Sequence, residues 1–258
     1  MATDSHAKQP KVVGIIPARY GSTRLPGKAL RLIAGRPMIQ RVLERCLTAR
    51  RLDSVWVATD DERIAQAVEA VGGQVVMTSP RHPSGTDRLA EAVTKIEADI
   101  VVNLQGDQPF LDAEMIEEAV QPLLGDPCLP MTTLMHPVVR PEDFANPAVV
   151  KVVVDCAGNA LYFSRSLIPY PRQAVPHRVF EHVGLYVYRR DFLLTLASLS
   201  PTPLEQIESL EQLRVLEHGY KLRVVETRAH DHEFTGFSVD TAEDMERAEK
   251  MLRERGLT

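Results

Sequence analysis

The chain alternates apolar runs with amphipathic segments. "KVVGIIP", "SVWVATD", "GQVVMTS" and "DIVVNLQGD" are short and nearly all apolar, as strands are when both faces of a sheet are covered. Between and after them, "PMIQRVLERCLTARR", "DERIAQAVEAVG", "TDRLAEAVTKIEA" and "DAEMIEEAVQPLL" repeat apolar residues at helical spacing. In the first of these, Pro37 suits a helix start, and Met38, Val42, Cys46 and Ala49 form the stripe. Repeated strand-helix alternation predicts parallel strands joined by crossovers. Ligands of such sheets sit beyond the carboxyl ends of the strands. The loops after Pro17, Thr59, Ser79 and Leu104 are therefore expected around one crevice.

The second half changes rhythm. "MTTLMHPV", "VVKVVVD", "NALYFSR" and "HVGLYVYRR" read as strands with turn residues between several of them, which predicts an antiparallel portion or an inserted subdomain. "PLEQIESLEQLRVLEHG" predicts one long helix ending at Gly219. "KLRVVET" reads as a strand and "TAEDMERAEKMLRERG" as a closing amphipathic helix. No repeat, low-complexity run or linker interrupts the pattern. Residues 11–258 are expected to form a single α/β domain with a mostly parallel central sheet flanked by helices, and residues 1–10 a flexible leader.

Composition narrows the function. With 258 residues, 44% hydrophobic and 25% charged, the balance is that of an ordinary globular domain. A net charge of -5 gives no broad basic field for a nucleic-acid backbone, so phosphate chemistry has to rest on a local cluster. Cys46, Cys128 and Cys156 are far apart and form no C-x-x-C pair, so they read as reduced core thiols and not as a disulfide or zinc framework. No run approaches the ~18 apolar residues of a membrane helix, and the N-terminus has no apolar signal core. A cytoplasmic protein without membrane insertion is expected.

The local cluster lies in "GIIPARYGSTRLPGK", Gly14 to Lys28. It is not a Walker A loop. Five residues separate Gly21 from Gly27 where that motif has four, and Ala29 stands where its hydroxyl should be. No G-x-G-x-x-G follows the first strand either. What remains is three cations, Arg19, Arg24 and Lys28, beside glycines that let backbone N–H groups approach an anion. Arg forks and a mobile Lys suit phosphate oxygens, and three such charges on one loop suit a triphosphate.

In "NLQGDQP", Asp107 follows a strand end, where a carboxylate either closes a turn or binds magnesium carried by phosphates. Asp240 in "SVDTAED" offers a second carboxylate; it serves equally as the cap of the helix that follows. His230 and His232 in "AHDHE" read as a surface loop, and Trp56 as a core residue. His182 starts a strand that also carries Tyr186, facing either a ligand or the interior. No nucleophile elbow, H-E-x-x-H or glycosidase carboxylate pair is present, so the pattern favours positioned phosphates over a covalent intermediate.

Several stretches together resemble one family. "IIPARYGSTRLPGKAL", "HPSGTDRLAEA", "NLQGDQPF", "NPAVVKVVVD", "ALYFSRSLIPY", "HVGLYVYRRDFL", "PLEQIESLEQLRVLEHG" and "VDTAEDMERA" occur in the order seen in 3-deoxy-manno-octulosonate cytidylyltransferases, the CMP-KDO synthetases. The match runs from Val12 to Ala248. It implies transfer of CMP from CTP to the anomeric hydroxyl of 3-deoxy-D-manno-octulosonate (KDO), releasing pyrophosphate and activating KDO for lipopolysaccharide. It further implies a nucleotide-diphospho-sugar transferase type of fold, a Mg2+ requirement, and a homodimer formed through the antiparallel portion.

By the same resemblance, Arg19, Ser22, Arg24 and Lys28 hold the nucleotide phosphates, and Ser84, Gly85 and Thr86 form the cytosine loop. Gln105 lies between nucleotide and sugar, and Asp107 and Asp240 are the metal ligands. Arg165, His182, Tyr186, Glu211 and Gln212, with Gln105, contact the acid sugar, Arg165 as a partner for its carboxylate. Arg19, Lys28, Asp107 and Asp240 are the expected catalytic set. Gln108 replaces a commoner Glu, Glu181 a basic residue and Ser238 a glycine. The alternatives are a cytidylyltransferase for 8-amino-KDO or a sialic acid, and a non-catalytic nucleotide-binding regulator. Thr23 to Ala29 departs from the first loop of sialic-acid enzymes, and retention of both Asp107 and Asp240 argues against the regulator.

Overall fold

The computed structural model describes residues 9–21, 25–229, 234 and 236–256. The chain begins with β1 (Val12–Ala18), a hairpin of β2 (Leu32–Ile33) and β3 (Arg36–Pro37), and α1 (Met38–Cys46). It continues through β4 (Ser54–Thr59), α2 (Glu62–Glu69), β5 (Gln74–Met77), α3 (Gly85–Thr94), β6 (Ile100–Asn103) and α4 (Ala113–Gly125). Then come β7 (Met131–Pro137), β8 (Lys151–Val154), β9 (Ala160–Ser164), β10 (Phe180–Arg189) and α5 (Arg190–Ser198). The last elements are α6 (Pro203–Glu208), α7 (Gln212–Glu217), β11 (Arg223–Glu226) and α8 (Ala242–Glu254).

Among the described residues the main sheet has nine strands in the order β11-β7-β10-β6-β1-β4-β5, with β8 paired to β10 and β9 to β8. β6, β1, β4 and β5 run parallel, as the alternation requires. β10 runs antiparallel to both β6 and β7, and the β8–β9 hairpin extends from it as the expected antiparallel portion.

The order places β1 between β4 and β6. The chain winds outward from β1 through β4 to β5, then returns to the other side of β1 to form β6. The topological switch point thus falls between β1 and β6, where an open α/β sheet has its ligand crevice. The loops that leave those two strands carry Arg19 to Lys28 and Gln105 to Asp107.

Both faces of the sheet are covered. Along β1, Val12 and Ile16 join the core under α1, α4 and α8, while Val13 and Ile15 join the one under α3, α5 and α7. Side chains that alternate between two buried layers give an unbroken apolar run.

Two sequence expectations change. The long helix expected over Pro203 to Gly219 is broken into α6 and α7 by Ser209, which sits in the left-handed region at φ 53. The cause is tertiary. The Glu208 carboxylate accepts from Ser164 Oγ at 2.6 Å and from the Arg165 backbone N–H at 2.9 Å. Arg165 in turn donates from Nε to the Glu208 carbonyl at 2.8 Å and from Nη2 to the Ser209 carbonyl at 3.4 Å. These contacts take carbonyls that a continuous helix would use internally. The thiols also differ: Cys46 is buried, its pKa pushed up to about 12 by desolvation, whereas Cys128 and Cys156 are exposed and free. Trp56 is half-buried and packs against the core from the sheet surface.

Candidate active site

Two adjoining cavities open at the switch point, sharing Pro17, Gly85 and Gln105 in their walls. The first encloses about 300 Å³ and is lined by Arg19, Lys28, Ser84, Arg88, Asp107 and Asp240 among others. The second, about 150 Å³, is lined by Thr86, Asn103, Tyr186, Tyr188, Glu211 and Gln212 among others.

Lys28 stands at the start of a 3-10 turn, Lys28–Leu30, entered through Gly27 at φ 66. Gly27 N–H donates to the Tyr20 carbonyl at 3.1 Å, and a Cβ on Gly27 would come within 3.1 Å of the Tyr20 ring. The ammonium reaches across the crevice to Asp107 Oδ2 and Asp240 Oδ1, both at 2.9 Å. Val239 N–H donates to the Asp107 carbonyl at 2.9 Å, which ties the backbones of the two aspartates together.

The cap of α8 is Thr241, in a capping box with Asp244, and not Asp240. That resolves the two readings of Asp240: its backbone N–H is held by Asp244 Oδ2 at 3.0 Å, and its carboxylate faces the crevice cation. Gly106 is required where it stands, because a Cβ there would lie 2.9 Å from the Pro17 carbonyl oxygen.

Ser84 caps α3, accepting from Asp87 N–H at 3.1 Å and donating to Asp87 Oδ2 at 2.6 Å. Gly85 therefore opens the helix at the mouth of the first cavity, while Thr86, one residue on, turns into the second. There Thr86 shares the cavity wall with Glu211. Burial raises the Glu211 pKa, and its Oε1 finds no hydrogen-bond partner among the described residues.

Tyr186 reaches the second cavity through a bulge in β10. The register shifts between Val183 and Tyr186, so Tyr186 lies opposite Asn103 on one side and Thr133 on the other. A bulge re-aims side chains and frees ladder groups. Thr133 Oγ1 lies 3.1 Å from the Val183 carbonyl and 2.8 Å from that of Leu185, and Gln105 Nε2 donates to the Gly184 carbonyl at 3.1 Å.

The structure thus brings Arg19, Lys28, Ser84, Gly85, Gln105, Asp107 and Asp240 around the first cavity and Thr86, Gln105, Tyr186, Glu211 and Gln212 around the second. Ser22 and Arg24, like the His230 and His232 loop, lie outside the described residues. Arg165 and His182 line neither cavity. Arg165 donates to three backbone carbonyls, those of Glu208 and Ser209 described above and that of Pro147 at 2.9 Å from Nη1, and so pins the turn that carries Glu211. His182 sits behind Tyr186 with ring centroids 5.4 Å apart, its Nε2 2.9 Å from Thr133 Oγ1. Desolvation in this setting pulls its pKa down to about 3, which keeps the ring neutral.

Sequence reasoning missed Arg88, Asn103 and Tyr188. Arg88 is 3% exposed, yet it lines the first cavity and donates from Nη1 to Thr78 Oγ1 at 2.6 Å. Its Nη2 lies 3.3 Å from Asp60 Oδ2. The signal was there: Arg88 lies four residues before Ala92 on the apolar stripe of α3. Tyr188 and Asn103 gave no such signal, since each lies within an apolar strand.

Comparison with known proteins agrees with this geometry. The family model for cytidylyltransferases matches residues 13–223. A 3-deoxy-manno-octulosonate cytidylyltransferase of Geobacter metallireducens is 52% identical over 255 residues, covering 94% of this chain and 98% of the relative. One of Syntrophotalea carbinolica is 51% identical over 251 residues, with coverage of 94% and 98%. A solved structure of CMP:2-keto-3-deoxy-manno-octonic acid synthetase complexed with CTP has a TM-score of 0.89 and 49% identity, covering 95% of this chain and 99% of that one. A cytidylyltransferase from Leptospira borgpetersenii, at 19% identity and TM-score 0.64 over 95% of this chain and 87% of its own, shares the fold. The chain belongs to the 3-deoxy-manno-octulosonate cytidylyltransferase family.

Proposed function

We propose that this protein transfers CMP from CTP to the anomeric hydroxyl of KDO, giving CMP-KDO and pyrophosphate. The observation that carries the reading is the cation and carboxylate cluster of Lys28, Asp107 and Asp240 at the switch point, beside Arg19 and Arg88. The KDO and CTP named for the relatives and the solved structure supply the substrates.

In this reading the first cavity takes the nucleotide and the second the acid sugar, with Gln105 in the shared wall. The sugar's anomeric hydroxyl oxygen attacks the α-phosphorus and gives up its proton to solvent, the bond to the β-phosphate oxygen breaks, and pyrophosphate leaves. Arg19 and Lys28 offset the charge of the phosphate chain, and the rigid Gly85 and Gln105 wall sets the approach of the two substrates. No general base is assigned.

Asp107 and Asp240 are assigned as the ligands of a Mg2+ ion. The residues fit: two carboxylate oxygens already converge on one cation, the Lys28 ammonium. Among the described residues no group of three or more His, Cys, Asp or Glu gathers as a protein cage. Mg2+ characteristically takes one or two carboxylates together with substrate phosphates. When bound, it supplies charge neutralisation and a lowered hydroxyl pKa. The reading also carries a homodimer, a cytoplasmic location and a product destined for lipopolysaccharide. Sedimentation tests the first of these.

Pyrophosphate release with CTP, Mg2+ and a panel of acid sugars tests the function. KDO is expected to support the fastest release. Release only with 8-amino-KDO or a sialic acid would reassign the sugar, and none with any sugar would remove the activity.

A further inference from the structure

The backbones that carry the two carboxylates meeting Lys28 are held by main-chain contacts. Val239 N–H holds the Asp107 carbonyl, Gly106 packs on the Pro17 carbonyl, and Asp240 follows Val239 directly. Lys28 belongs to a different loop and reaches them only through its flexible stem, with its side chain 15% exposed. Two like charges held side by side repel, so the pair needs a cation. A lysine ammonium is a mobile point charge, free to leave without dismantling a planar fork.

We propose that Lys28 is an exchangeable placeholder. In the free protein its ammonium neutralises the Asp107–Asp240 pair; when nucleotide arrives with a divalent cation, it gives up that position and moves onto the phosphate chain. The inference rests on the metal assignment above. Its contacts to the carboxylates are 2.9 Å, whereas Mg2+ draws its oxygens to roughly 2.0–2.1 Å. Ammonium and metal therefore compete for the same two oxygens. A phosphate chain offers the displaced ammonium a new anionic partner at the moment of displacement. Metal entry and phosphate grip then become one event, and a divalent ion without phosphate has to expel a cation that gains no phosphate in exchange.

The test uses Mn2+ alone, titrated into the full-length protein without nucleotide and followed by electron paramagnetic resonance of the free ion. Lys28→Met is expected to bind Mn2+ at least roughly tenfold more tightly than wild type, about 1.4 kcal/mol. Arg19→Met, which removes another cation from the same cavity wall, is expected to gain far less. Melting curves give a second readout. Lys28→Met should melt below wild type without metal and recover with Mn2+, while the wild-type melt hardly moves. Lys28→Gln serves the same purpose should the methionine variant fail to fold.

Equal gains in the Lys28 and Arg19 variants, or no gain at Lys28, overturn the placeholder. Asp240→Asn separates this from the metal assignment. If it weakens Mn2+ binding while wild type and Lys28→Met bind equally, the metal site stands and the placeholder falls. If it changes binding in neither background, the metal assignment itself falls.

Discussion

The two cavities share a wall but are made of different material. The first is lined by the loops after β1 and β6, by the start of α3 and by Asp240, and its chemistry is ionic: one lysine, two arginines and two aspartates. The second is lined by residues of β6, β7 and β10 and by helix residues of α3, α5 and α7, and its polar groups Thr86, Asn103 and Gln212 are buried. Burial raises the pKa values of Glu211, Tyr186 and Tyr188, so this cavity disfavours charge on the protein's own groups. A triphosphate needs counter-charge and a metal platform, whereas a sugar needs shape and a few directed polar contacts. The difference in construction matches that division of labour.

The sharpest way to break the comparison is to neutralise the ionic cavity. Asp107→Asn or Asp240→Asn is expected to lower turnover by a factor on the order of 10²–10³, as lost electrostatic stabilisers do, with the fold intact by circular dichroism. Steady-state pyrophosphate release checks this, and near-normal turnover in either variant would remove that residue from the reaction.

Next in size is the backbone under the ionic cavity. Gly106→Ala places a methyl 2.9 Å from the Pro17 carbonyl oxygen and should cost about 1–3 kcal/mol in denaturant unfolding. Gly21→Ala, where none of the described residues lies within 4 Å, should be close to neutral. Equal costs at the two positions would mean that the close packing at Gly106 is not what fixes Asp107.

The second cavity should respond in the opposite direction. Glu211→Gln removes a buried charge, so stability is expected to rise by about 1 kcal/mol while the KM for the acid sugar rises roughly tenfold. Thermal melts and sugar-dependent kinetics read the two effects separately. A stability loss together with an unchanged sugar KM would make Glu211 structural.

The last test is a pH slope, in which two buried groups oppose each other. The unfolded His182 titrates near 6.5 and the folded one at about 3, so between these values the unfolded chain binds a proton that the folded protein refuses. Stability from this group therefore falls as pH drops through that window, by about 1.4 kcal/mol per unit. The neighbouring Glu181, raised by burial from 4.5 to about 7, acts in the other sense: the folded state holds the extra proton, and stability falls as pH rises from 4.5 to 7. Between pH 4.5 and 6.5 the two slopes offset each other, so His182→Phe should leave stability falling as pH rises and Glu181→Gln should leave it falling as pH drops. Urea melts across pH 4 to 7.5 test both, and unchanged slopes would contradict the burial argument.

What the sequence made legible follows the same line between the cavities. The parallel half was readable because each strand and helix carries its own period, and Arg19, Lys28 and Asp107 could be picked out because each lies in a loop that follows a strand end. Asp240 had two readings until Thr241 was seen to cap α8. In the antiparallel half, Glu211 came from resemblance alone and Tyr186 stood open between ligand and interior, because what places them is tertiary. The β10 bulge aims Tyr186, and Arg165 breaks the expected long helix at Ser209, turning Glu211 into the crevice. Neither device leaves a local period to read. Arg88 lies between these cases, a cation on an apolar stripe whose burial the spacing already implied.

Calorimetric titration of CTP with Mg2+ into Lys28→Met and Glu211→Gln tests the division of the site most directly. The account predicts a large loss of CTP affinity in Lys28→Met and wild-type affinity in Glu211→Gln. Equal losses in both, or undiminished CTP binding in Lys28→Met, would contradict it.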